Sequence, residues 1–157
     1  ASVLIQQDLV DDAARVLDQY PPGFFHMPLT TVLWLNNRAF AHLAKSHELE
    51  RSPRQDLVVV SDAMGPAAAG TELVVIDERA AAAALLDEAE KRLQKASTRE
   101  LGGTGNARKL TAALAGTRAI ERALARDGRG ALNALKRAAD NDDDPATAFR
   151  TIERGLW

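Results

Sequence analysis

The stretch Ser97–Gly116, STRELGGTGNARKLTAALAG, carries three glycines within four positions (Gly102, Gly103, Gly105) and then two adjacent cations, Arg108 and Lys109. Such a stretch either cradles a phosphate or separates two helices, and the choice decides the fold class. A P-loop requires G-x-x-x-x-G-K-[ST] behind a strand. Counted from Gly103, the second glycine position falls on Arg108, and Lys109 is followed by Leu110 instead of the hydroxyl that would hold magnesium. A dinucleotide fingerprint requires G-x-G-x-x-G, and Gly103–Arg108 fails at its third glycine. The preceding residues, KRLQKASTREL (Lys91–Leu101), read as helix, whereas both motifs follow a strand. The stretch is therefore a helix–helix connection. Gly102 is expected to supply the left-handed residue that closes one helix, and Thr104 or Asn106 to cap the next.

Upstream of the glycines, Val74–Ile76 flows without a break into RAAAAALLDEAEKRLQKA (Arg79–Ala96), which predicts one long helix from about Glu72 to Glu100. Downstream, a helix is expected over Leu110–Arg126, a tight turn at DGRG (Asp127–Gly130) and a short helix over Ala131–Ala139. DNDDDP then breaks the chain, with Asp144 as N-cap and Pro145 at the first position of a last helix, whose stripe is Phe149, Ile152 and Leu156 before Trp157. Towards the N-terminus, Leu9, Ala13, Val16, Leu17 and Tyr20 recur at helical spacing and predict a helix over Val3–Tyr20. PPGFFHMP (Pro21–Pro28) ends it, because proline cannot continue the hydrogen-bond ladder. A second helix follows over Leu29–Ser46, with Leu29, Val32, Leu33, Phe40 and Leu43 as its stripe, and Pro53 breaks the chain again. Val58–Val60 reads as a short helix or as an extended segment near 57–60. The expected fold is all-α: a compact bundle of about six helices joined by short turns, in a single helical domain over 1–157.

Composition agrees. Hydrophobic residues make up 46% of the 157 positions and aromatics only 4%, so alanine and leucine, both strong helix formers, carry the apolar content. The absence of cysteine excludes disulfides, thiolate-bound zinc, iron–sulfur clusters and thiol catalysis. Neither a basic leader nor an apolar run near the ~20 residues of a membrane span is evident, so a cytoplasmic protein with no membrane partner is expected.

The net charge of −2 hides an asymmetry. Residues 1–90 balance at −8 and residues 91–157 at +6; within 91–139, 12 Lys/Arg face 3 Asp/Glu. On a wheel of roughly 100° per residue, Arg108, Arg118, Arg122 and Arg126 share one arc of about 80°, roughly opposite Leu110, Leu114, Thr117, Ile120 and Leu124. Lys109, Arg129, Lys136 and Arg137 extend the charge, and Lys91, Arg92, Lys95 and Arg99 crowd the end of the preceding helix. Only Glu121 and Asp127 offer nearby salt-bridge partners. A cationic ridge of this kind suits a nucleic-acid backbone. The expected contacts are Arg108, Lys109, Arg118, Arg122, Arg126, Arg129, Lys136 and Arg137. The alternative partner is protein: the acidic half docking a basic half in the same chain or in a neighbouring subunit, as an adaptor or a self-assembling scaffold, with Phe24, Phe25, Trp34 and Trp157 as anchors.

Nothing in the sequence carries catalysis. Asp140–Thr151 starts like a calcium loop, but Pro145 replaces its glycine and Thr151 its bidentate glutamate. His26, His42 and His47 form no metal-binding spacing, with His42 expected at the edge of its helix's buried face, and no G-x-S-x-G is present. A non-enzymatic protein without metal or cofactor is expected.

Two resemblances follow. LVDDAARVLDQYP (Leu9–Pro21) with TTVLWLNNRAFAHLAK (Thr30–Lys45) resembles the helical hairpins of tetratricopeptide proteins, with Asn37, Arg38, Ala39 and His42 falling where such repeats carry similar residues. As a class, a small helical chain with a basic face is similar in profile to the small helical subunits of RNA-guided CRISPR effector complexes; this implies a subunit that holds nucleic acid without reading bases.

Overall fold

Helix follows helix along the residues described by a computed structural model of the chain: 10–19, 27–51 and 77–142. They are α1 (Val10–Gln19), α2 (Pro28–Arg51), α3 (Glu78–Lys95), α4 (Thr104–Leu124) and α5 (Gly128–Asn141), with no strand among the described residues. The all-α class holds, with five helices there against the expected six or so. The segment near 57–60 and the last helix after Pro145 lie outside the described residues, as do the first residues of the helix expected from Val3.

The long helix expected over Glu72–Glu100 is shorter, because polar side chains end it on both sides. Asp77 is its N-cap: its carboxylate accepts the backbone N–H of Arg79 and of Ala80, each at 3.1 Å. Such a cap satisfies donors that have no partner within the helix. At the other end, Ser97 and Glu100 form a reciprocal capping box around a separate turn. The Ser97 N–H reaches Glu100 Oε2 at 2.8 Å, and the Glu100 N–H reaches Ser97 Oγ at 3.3 Å. The Ser97 hydroxyl, and then its backbone N–H, hold the Glu100 carboxyl below its ordinary pKa. Gly102 takes the expected left-handed conformation, at φ +77°, but closes this turn and not the long helix; its N–H bonds Arg99 O and that of Gly103 bonds Thr98 O. Neither Thr104 nor Asn106 caps α4. Gly103 stands at that position without a side chain, and Asn106 Nδ2 instead donates back to Gly102 O at 3.2 Å.

The core lies where α2, α3 and α4 meet. Val32, Leu35, Ala39 and Leu43 of α2 pack with Ala82, Leu86 and Ala89 of α3, and with Leu110, Leu114, Ala119 and Ile120 of α4. α3 and α4 run antiparallel, since Arg79 Nη1 donates to Leu124 O at 3.0 Å while Arg118 reaches back to Asp87 and Glu90. α1 lies antiparallel on α2: Trp34 Nε1 donates to Leu17 O at 3.1 Å and Arg38 Nη1 to Ala14 O at 3.3 Å. α5 folds back onto α4 and buries Ala131 and Ala138. Among the described residues, no helix is long and apolar enough to cross a membrane.

The structure corrects the view of α4 as a helix with one apolar stripe. It packs against α2, α3 and α5, and Ala112, Ala115 and Ala119 are buried in addition to the leucine stripe. On the wheel set by Arg108, these alanines fall inside or within about 40° of the arginine arc. Their small side chains let neighbouring helices approach on the side that was expected to face solvent.

Candidate nucleic-acid interface

Three of the eight expected contact residues are tied to the chain's own carboxylates. Arg118 is 11% exposed. Its Nη2 donates to Asp87 Oδ1 at 2.5 Å and to Glu90 Oε2 at 3.4 Å, and its Nη1 to Glu121 Oε2 at 3.5 Å. Burial disfavours its charge, but the hydrogen bond to Asp87 and the charges of Glu90, Asp87 and Glu121 outweigh that and raise its pKa. Arg122 lies 3.4 Å from both Glu121 and Asp127 and stays about half exposed. Arg137 reaches Glu90 Oε1 at 3.7 Å. Arg118 is therefore no part of an open ridge. Its partners on α3, Asp87 and Glu90, stand 31 and 28 residues away, in the acidic half.

The other expected contacts face outward in two groups. Arg108 and Lys109 are exposed on the first turns of α4. Close by in the chain, at the end of α3 and in the turn after it, Lys91, Lys95 and Arg99 are exposed as well. The second group is Arg126 in the turn between α4 and α5, with Arg129 and Lys136 on the outer face of α5. Arg129 and Lys136 are seven residues apart, so they share a face at a spacing of about 10 Å. Arg108 and Arg126, at the two ends of α4, stand about 27 Å apart, whereas Lys136 lies nearer the first group, because its neighbour Arg137 reaches Glu90, next to Lys91.

The unpartnered charge is one-sided. Among the described residues, Lys91, Lys95, Arg99, Lys109, Arg126, Arg129 and Lys136 have no carboxylate within ion-pair distance. Among residues 11–19, 77–127 and 140–142, the carboxylates without a hydrogen-bond or ion-pair partner are Asp11 and Asp140. The three acids of the basic block are all engaged: Glu100 by Ser97, Glu121 by Arg118 and Arg122, and Asp127 by the Gly130 N–H at 2.9 Å and by Arg122.

Arg126 also stands out by its backbone. It is the one described non-glycine residue at positive φ, +60°. Its N–H bonds Ala123 O at 3.0 Å and the Asp127 N–H bonds Arg122 O at 2.9 Å, the same closing motif that Gly102 serves after Leu101. The left-handed conformation costs a non-glycine residue roughly 1–2 kcal/mol.

A residue missed from the sequence is Arg79. Its guanidinium reaches the carbonyl end of α4 at Leu124 from 45 residues away, a separation that no local pattern signals. His42, half-buried as expected, pairs with Glu78 at 2.5 Å, and Lys45 approaches the same carboxylate at 3.5 Å; this ties α2 to the start of α3. No group of three metal-ligating side chains stands together among the described residues. In the N-terminal hairpin, Arg38 bonds the Ala14 carbonyl and Asp18 at 2.9 Å, so it serves the α1–α2 pairing. Compared with protein-family models, curated proteins and solved structures, the chain matches none.

Proposed function

We propose that this chain is a non-enzymatic helical subunit of a larger assembly that holds a nucleic-acid backbone through its outward cations. The observation that carries the reading is the one-sided residue of charge on the second half of the described fold: Lys91, Lys95, Arg99, Lys109, Arg126, Arg129 and Lys136 without carboxylates, against acids of residues 91–139 that are all engaged. The same imbalance disfavours docking through the described acidic surface, which has little free charge to offer. The contact surface consists of the corner around Lys91, Lys95, Arg99 and Lys109, together with Arg126, Arg129 and Lys136; Arg108 adjoins the first corner by position and is not among the unpartnered cations. Arg118 and Arg137 serve the frame instead, holding α4 and α5 against α3. The cations extend over about 27 Å from Arg108 to Arg126, a span that suits a polymer and not a mononucleotide. With aromatics at 4%, base stacking contributes little, and the contacts are with phosphates. In this the chain is similar in profile to the small helical subunits of CRISPR effector complexes.

Fluorescence anisotropy with single- and double-stranded oligonucleotides of mixed sequence tests the reading. With about five phosphates engaged, affinity falls about 100-fold for single strands and about 500-fold for duplex between roughly 50 and 200 mM salt, with little dependence on sequence. Absence of binding at low salt refutes it and leaves the protein-adaptor alternative.

A further inference from the structure

We infer that the α4–α5 turn is a dedicated phosphate contact, with Arg126 and Arg129 as its free arms and with Arg79 and Arg122 held beside them. The inference rests on the nucleic-acid reading and narrows it to one place on the surface. Four arginines from three helices and a turn converge there. Arg79 comes across from α3 and donates to Leu124 O, two residues before Arg126. Arg122 is held by Asp127 in the turn itself. Arg129 is exposed in the first turn of α5. The carboxylates at hand, Asp127 and Glu121, already accept from Gly130, Arg122 and Arg118, so they do not neutralise Arg126 or Arg129. The end of α4 adds a negative dipole that favours cations around it without satisfying their hydrogen-bonding capacity.

Arg126 supplies the independent observation. The turn requires a left-handed residue at this position, and the equivalent position after Leu101 is filled by glycine, which adopts that conformation freely. At 126 an arginine is held there instead, its side chain exposed and without a hydrogen-bond or ion-pair partner among the described residues. Its side chain thus does no work within the described fold that would offset the backbone conformation. The guanidinium fork matches phosphate geometry through paired N–H donors, which fits the position to a phosphodiester ligand.

The test uses Arg126→Gly and Arg126→Asn, two residues that tolerate the left-handed conformation. Each is measured for melting temperature and for binding of a mixed-sequence oligonucleotide over a salt series. The expected result is a melting temperature unchanged or raised, a Kd raised about fivefold at low salt, and a salt slope smaller by about 0.7 to 0.9, the value of one phosphate contact. Wild-type affinity and slope in both variants overturn the inference. So does a lowered melting temperature in both, which would make Arg126 a structural residue. A wild-type protein that shows no salt-dependent binding refutes the whole surface instead, so the two failures are distinguishable.

Discussion

Replacing Arg118 with alanine tests the division between framing and contacting cations. The guanidinium is 11% exposed and faces three carboxylates. Its removal takes one partner from Glu121, at 12% exposure, and the nearer of two from Glu90, at 24%. Breaking a buried ion pair from one side costs about 3–5 kcal/mol. Here the cost is lower, because Glu121 retains Arg122 at 3.4 Å and Glu90 retains Arg137 at 3.7 Å. Asp87, at 73% exposure, contributes little, since pairs open to water are worth ~0–1 kcal/mol. The expected loss is therefore about 2–3 kcal/mol, or about 5–10 °C in melting temperature for a chain of this size. Urea denaturation followed by helical circular dichroism measures it. Because the Arg118 pKa is raised on folding, its contribution is fully present below the unfolded value and is lost only as pH rises through the folded one; the deficit of the variant should not change between neutral and mildly alkaline pH. Variant and wild type should share the same salt slope for nucleic acid, in contrast to Arg126→Gly. A loss under about 0.5 kcal/mol refutes the framing role, and a reduced salt slope shows that Arg118 contacts the ligand after all.

Two further outcomes follow from the same geometry. Glu100→Gln should destabilise the turn between α3 and α4 at neutral pH, and the difference from wild type should fade in acid. The folded Glu100 pKa is lowered, so its contribution is present above the unfolded value and is lost as pH falls through the folded one; denaturation midpoints over an acid-to-neutral series measure it, and a constant difference counts against the capping box. Ala119→Leu should cost about 1–3 kcal/mol, because α4 is closely covered at that buried alanine; a neutral effect in thermal melts would mean that α4 has the open arginine face drawn from its wheel.

The helical class was legible from local chemistry. Alanine-rich runs, the prolines after Tyr20 and the glycines at 102 and 103 mark helices and their interruptions through backbone preferences that act within a few residues. Helix ends were less legible. Asp77 stops α3 from extending back to Glu72, and the Ser97–Glu100 box cuts it short of Glu100. Both signals are present in the sequence, but the apolar periodicity running through them is stronger to the eye. Of the site, the sign and the region of the charge were readable and the fate of single residues was not. The basic block was counted against its neighbours in the chain, which offered Arg118 only Glu121.

By itself the sequence determined an all-helical chain whose second half carries the cations, because helix propensity and formal charge belong to residues and their near neighbours. Tertiary structure alone decided which of those cations are available. The antiparallel packing of α3 on α4 carries Asp87 and Glu90 across about thirty residues to Arg118 and takes it out of solvent. The α4–α5 turn, by contrast, leaves Arg126 exposed and bent into a glycine's conformation. Coulomb attraction depends on distance in space, and no helical wheel drawn for one helix contains the carboxylates of another.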